Sequence, residues 1–285
     1  MEVINGQIAI LILFYNKLKQ TAECVLSFLP SGENIYILNN GSSVDAFADL
    51  KMQFADMHQV HFLDAGTNLG PAGGRNYLIS HTTEPWIFFV DNDITIKPAE
   101  NWKQLLEKYF AENQEAEIVC PRIFNVHEGS YMDRLRLILQ GTKLQLKNTK
   151  SAITNYFPEG GVIIRRSVFE RYGLYDEDMF AFEGYELALR AILSSFGELK
   201  VYAITTIELI HDHRFQQKAV DKEAIRYRYN SQKHEDSYSR IKEKYQIEFE
   251  HDWNWWVQTQ REKMTIHPLF LRVRNKLKQV FFHEK

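Results

Sequence analysis

Four short apolar runs, Ile8 to Phe14, Ile35 to Leu38, Val60 to Leu63 and Trp86 to Val90, recur at near-even intervals through residues 1–100. Segments of helical character fill the gaps. The spacing predicts helices from about Lys17 to Phe28, ending before Pro30-Ser31-Gly32, from Ala46 to Phe54, and from Ala72 to Ser80. Strands alternating with helices in this way build βαβ units, so the chain is expected to fold around a mostly parallel sheet. After Pro98 the pattern continues with a helix over 102–112, strands at 118–123 and 160–164, helices over 167–172 and 185–194, and a late strand at 199–204. Residues 125–155 are polar and weakly periodic, with Gly129 and Gly141 as breakers, and read as a mobile loop or an acceptor-facing excursion. The composition turns charged and aromatic near residue 215. This divides the chain into an α/β region, 1–215, and a helical region, 216–285, that carries Tyr238, Ile241, Tyr245, Trp253, Trp255 and Trp256. The tryptophans are expected to pack back onto the sheet.

A chain of 285 residues with 45% hydrophobic and 25% charged residues can bury a sizeable core. Its formal net charge of −3 supplies no broad basic field, so nucleic acid is excluded as the expected partner. Cys24 and Cys120 lie far apart in apolar runs, which points to reduced core thiols and a cytoplasmic setting. No stretch approaches the length of a membrane-spanning helix, and the apolar run that starts at Ile8 is too short for a secretory signal.

The fourth apolar run ends in Asp91-Asn92-Asp93. Two carboxylates at the carboxyl end of a buried strand offer hard oxygen ligands at the sheet edge where open α/β folds bind their ligands, a suitable place to hold a divalent cation against a diphosphate. The same residue types also close strands as ordinary turns. Their company decides between the two. Leu11 to Asn16 (Leu-Ile-Leu-Phe-Tyr-Asn), Leu38 to Ser43 (Leu-Asn-Asn-Gly-Ser-Ser), Asn68 to Asn76 (Asn-Leu-Gly-Pro-Ala-Gly-Gly-Arg-Asn) and Asp91 to Asp93 follow one another in an order that resembles the inverting glycosyltransferases of family 2. The run Glu159-Gly160-Gly161, Arg165-Arg166, Phe169, Gly173, Tyr175-Asp176-Glu177 is similar to the acceptor side of the same enzymes, and the likeness spans about residues 7 to 213.

That resemblance implies the GT-A fold, a Rossmann-like α/β architecture with a mostly parallel sheet flanked by helices, here followed by a C-terminal helical appendage. It also implies donor contacts from Phe14, Asn16, Asn39, Asn68, Gly70, Arg75 and Asp91, with Mn²⁺ or Mg²⁺ held by Asp93 directly, by Asp91 through water unless it sits nearer the ribose, and by His211 or His213. The donor expected is a nucleotide-activated sugar, with UDP as the nucleotide, and the acceptor a hydroxyl of a cell-surface glycan or lipid-linked glycan. Two positions depart from the family pattern. Asn39 stands where a base-contacting Asp is usual. Gly184 stands where the family carries the Asp that acts as general base, so Glu183 or Glu186 is expected to supply that carboxylate, with Glu183 favoured. Asp176 and Glu177 are retained as acceptor-binding candidates.

Beyond Pro268, residues Leu269, Phe270, Val273, Leu277, Val280 and Phe281 share an apolar arc flanked by Arg272, Arg274, Lys276 and Lys278. A helix of this kind over 268–282 suits peripheral contact with an anionic membrane at the cytoplasmic face, or docking on protein. Gly184 also motivates a rival, a nucleotide-sugar-binding relative without transfer activity. A Mg²⁺-dependent sugar nucleotidyltransferase is a further alternative, whereas the glycines at 70, 73 and 74 lack the spacing and placement of a dinucleotide-binding turn.

Overall fold

Strand β1 (Ile8–Phe14) is buried along nearly its whole length, and its alternating side chains seed a core on each face of one sheet. Ile8, Ile10, Ile12 and Phe14 join the core beneath α1 (Leu18–Phe28) and α2 (Val44–Gln53), while Ala9 and Leu11 join the core beneath α3 (Gly70–Ser80). Helix α2 starts where Ser43 accepts a hydrogen bond from the Ala46 amide at 3.3 Å, and α3 starts with Pro71 in its first turn. This computed structural model describes residues 7–212 and 230–250, with the isolated positions 226, 270 and 273.

The strands β2 (Asn34–Asn39), β3 (Val60–Asp64) and β4 (Trp86–Asp91) run parallel to β1 in the order β3-β2-β1-β4. Beyond β4 the sheet becomes mixed. The next strand outward, β11 (Gly161–Arg165), is antiparallel to β4 and to β6 (Ile118–Asn125). The chain between β6 and β11 is all strand and loop, a connection that permits antiparallel pairing. The long strand β12 (Val201–His211) then pairs parallel to β6 and antiparallel to the short β5 (Ile94–Lys97). Helix α4 (Trp102–Glu112) closes one face through Trp102, which meets Phe28 and Phe88 edge-on at 5.9 and 5.6 Å.

The expected loop over 125–155 is largely regular structure. It contains a short β7 (Ser130–Tyr131), a hairpin of β8 (Leu135–Gln140) and β9 (Lys143–Asn148), and a short β10 (Ile153–Thr154). Gln140 pairs with Lys143 across a two-residue turn whose Gly141 has φ 60°, a conformation that favours glycine. Leu137 and Leu144 point from the hairpin into the core, and the next leucines at period two, Leu139 and Leu146, pack against it. The pattern was therefore a strand signal overlaid with polar residues on the solvent side.

Helices α5 (Arg166–Tyr172) and α6 (Glu183–Leu193) cover the same face as α3. In the C-terminal region, α7 (Ser231–Tyr245) buries Ile241 in that core, and β13 (Glu248–Phe249) adds a third, parallel strand to β9. Phe249 lies against Phe182 and Tyr185, at ring distances of 5.5 and 6.2 Å. The segment 231–249 is thus fastened to the first turn of α6. The tryptophans at 253, 255 and 256, the proposed membrane helix over 268–282 apart from Phe270 and Val273, and His213 lie outside the described residues. Among the described residues no helix is long and apolar enough to cross a membrane.

Candidate active site

The chain order reverses on either side of β1, and the loops that follow β1 and β4 open onto the crevice this creates. The loop after β1 turns sharply, with Asn16 and Lys17 at φ 56° and 58°. This conformation delivers the Lys17 ammonium to Asp93 Oδ2 at 2.7 Å. Asp93 follows β4 and precedes β5, whose pairing with β12 sets Ile94 opposite His211; the Asp212 amide donates to the Asp93 carbonyl at 3.0 Å. Strand pairing thereby brings His211 Nε2 to 3.1 Å from Asp93 Oδ1. On the other side of the ring, Nδ1 lies 3.1 Å from Asn125 Oδ1. A ring protonated at Nδ1 would donate to that oxygen and offer the Nε2 lone pair to a cation shared with Asp93, whereas one protonated at Nε2 would donate to Asp93 itself.

One ligand atom each from Asp91, Asp93 and His211 lie within 4.8 Å of one another. Two carboxylates and an imidazole form an oxygen-rich donor set of few protein ligands, which fits a hard divalent cation such as Mn²⁺ or Mg²⁺. Asp91 is positioned by glycine. Its amide donates to the Gly160 carbonyl at 3.1 Å, and a β-carbon at residue 160 would stand 2.3 Å from its carboxylate. Only a residue without a side chain permits that approach.

Arg75, from the first two turns of α3, donates to Glu183 Oε1 at 2.9 Å and lies 3.4 Å from Asp91 Oδ1. Burial works against its charge, but the carboxylates of Glu183, Asp91 and Glu159 outweigh burial and raise its pKa above the ordinary guanidinium value. Glu159 responds in the opposite sense. Burial, with the neighbouring Glu183 charge, pushes its carboxyl up to about 8. The carboxylate ends against α6, where a β-carbon on Gly184 would lie 1.5 Å from Glu159 Oε1. Burial likewise keeps Cys24 and Cys120 as thiols by raising both above their ordinary value.

These groups share one cavity of about 820 Å³. Of the residues expected at the site, Asn68, Gly70, Arg75, Asp91, Asp93, Glu183 and His211 line it, and Lys17, Asn125 and Glu159 join them. Tyr156 and Tyr185 supply an aromatic wall, their rings stacked at 4.5 Å and 2°. Phe14, Asn16, Asn39 and Glu186 do not border the cavity. Phe14 is core, stacked with Phe47 at 6.2 Å. The Asn16 amide donates to Ser42 Oγ at 2.8 Å, and Asn39 braces that turn through the Ser42 amide at 2.9 Å while donating to Asp64 Oδ1 at 3.3 Å. Glu186 faces away, fully buried and held by Arg190, Lys244 and Tyr245. Asp176 is also taken up by α7, through Arg240 at 3.1 Å and Lys244 at 2.9 Å, while Glu177 accepts from Asn76 at 2.9 Å.

The model of "Glycosyl transferase family 2" matches residues 9–173, more than half of the chain, and this stretch includes both aspartates of the cluster. The chain belongs to glycosyl transferase family 2. Among curated relatives, a "Pre-mycofactocin glycosyltransferase" from Mycobacterium tuberculosis is 25% identical over 65% of this chain, and the match spans 38% of that protein. A "dTDP-rhamnosyl transferase RfbF" from Shigella flexneri is 24% identical over 73% of this chain and 69% of its own. Solved structures agree on the GT-A fold. S. aureus TarS residues 1–349 superpose with a TM-score of 0.56 at 13% identity, covering 83% of this chain and 72% of that one. A mannosyltransferase from Pyrobaculum calidifontis, solved with GDP-Man and Mn²⁺, gives 0.52 at 13% identity, covering 80% and 62%.

Proposed function

We propose that this family 2 protein transfers a sugar, with inversion, from a nucleotide-activated donor to a hydroxyl, with Asp91, Asp93 and His211 holding Mn²⁺ or Mg²⁺. The observation that carries the reading is that this metal-ligand set opens on the same cavity as Arg75, Glu159 and Glu183. When bound, the cation would take up negative charge developing on the diphosphate. Arg75 and Lys17 border the same cavity and add fixed positive charge toward phosphate oxygens. A carboxylate of the cavity wall, Glu183 or Glu159, accepts the acceptor hydroxyl's proton as its oxygen attacks the anomeric carbon from the face opposite the leaving group. The Tyr156–Tyr185 stack gives an apolar face suited to a sugar ring.

UDP is the proposed nucleotide, and the neighbour TarS was solved with UDP-GlcNAc; the acceptor is a cell-surface or lipid-linked glycan. Peripheral attachment to an anionic cytoplasmic membrane surface through 268–282 belongs to the same proposal, and deletion from Pro268 should then abolish sedimentation with anionic liposomes. The central test is calorimetry with UDP, GDP and dTDP sugars, first with Mn²⁺ and then with chelator, followed by an assay of slow donor hydrolysis. Metal-dependent binding with hydrolysis is the expected result. Binding without turnover, even with glycan acceptors, would instead favour the relative that has lost transfer, the reading that Gly184 motivates.

A further inference from the structure

Gly184 leaves α6 without a carboxylate at the position where family 2 enzymes carry their base, yet the space is filled. From the loop ahead of β11, Glu159 extends its carboxylate to within 1.5 Å of where a β-carbon of residue 184 would be. Three glutamates surround this turn, and their contacts separate them. Glu186 is fully buried and bound by three donors. Glu183 is 4% exposed and its Oε1 is taken up by the Arg75 guanidinium at 2.9 Å. Glu159 is half-buried and borders the cavity. Resting on the glycosyl-transfer reading above, we infer that Glu159 is the general base of this chain, supplied from a different segment to replace the side chain that Gly184 lacks.

In the transfer step the acceptor O–H proton passes to a Glu159 carboxylate oxygen while the acceptor oxygen forms its bond to the anomeric carbon. The bond from that carbon to the phosphate oxygen breaks, and the nucleoside diphosphate departs with the electron pair. Glu159 then returns its proton to water. The groups facing it are Arg75 from α3, Glu183 and Tyr185 from α6, Asp91 from β4, Cys120 from β6, and Tyr156 and Tyr175 from loops. Arg75 and a backbone hydrogen bond favour its ionised form, but burial and the Glu183 charge outweigh them and hold the carboxyl at about 8. A base poised near the working pH is well matched to catalysis.

The test uses the full chain with Mn²⁺ and the UDP-, GDP- and dTDP-sugar panel, with water as acceptor. The wild type should hydrolyse its donor at a rate that rises with pH to a plateau above about 8. Glu159→Gln should lower that rate by roughly 10²–10⁴-fold, abolish the pH step and leave the calorimetric affinity for the donor unchanged. Adding Gly184→Asp to Glu159→Ala should restore at least about tenfold of the lost rate, because removing Glu159 frees the space for an acid on α6. An unchanged rate and pH profile in Glu159→Gln would overturn the assignment, as would a loss traced to donor affinity. A wild type that binds no donor of the panel would instead sink the transferase reading beneath it.

Discussion

Glu183 and Arg75 meet at 2.9 Å with side chains only 5% and 8% exposed, so each is the other's principal compensation for burial. Glu183→Ala should cost about 3 kcal/mol of stability, read by urea denaturation, because it strands a buried guanidinium. Glu186→Ala should cost less, about 2 kcal/mol, since its partners Lys244 and Arg190 retain some exposure, 40% and 25%, and should leave donor affinity intact. Glu159 imposes the opposite pH dependence to an ordinary salt-bridged acid. Its folded-state pKa lies above its unfolded value, so the native state holds a proton that the unfolded chain releases. Its contribution to stability is complete below the usual glutamate range and is lost as pH rises through about 8; Glu159→Gln should remove that decline from a series of melts across the same window. The grouping of Asp91, Asp93 and His211 as a candidate metal-ligand set was legible in the sequence because such a set needs particular donor types at strand ends. Glu159 was not, since its proposed role depends on an atom that Gly184 does not have and on a contact across 25 positions of chain.

At the scale of elements, the βαβ pattern of residues 8–91 was readable because strand and helix periodicities alternate cleanly there. The β8–β9 hairpin was obscured, because its charged outward residues dilute a strand signal carried by few leucines. Its third strand is a two-residue addition from sequence about a hundred positions later, which no local pattern reveals. Phe249 anchors that addition, 5% exposed among Phe182, Tyr185 and Tyr238. Phe249→Ala should lower stability by about 3–4 kcal/mol, measured by thermal or urea unfolding. Gly160→Ala acts on a different link: its methyl group would fall 2.3 Å from the Asp91 carboxylate and drive it out of the donor set. Mn²⁺ affinity, followed by electron paramagnetic resonance, should fall by at least about tenfold, which by free-energy arithmetic is 1.4 kcal/mol.

For the whole molecule, the proposed activity requires one cavity to gather β4, β12, α3, α6 and the loop before β11 around a cation. Chelation should therefore reduce donor affinity in the wild type, whereas Asp93→Ala should bind donor weakly whether or not Mn²⁺ is added; equal affinity of the two proteins in Mn²⁺ would remove Asp93 from the metal site. The fit of Glu159 against Gly184 also carries a historical meaning. With Glu159 in its present place a side chain at 184 would displace its carboxylate, so an acid on α6 and Glu159 in this position are alternatives. Relatives of this chain should fall into two classes, those with an acid at 159 facing a glycine at 184 and those with an acid at 184 facing a small residue at 159. Such an exchange would mark a branch point within the family.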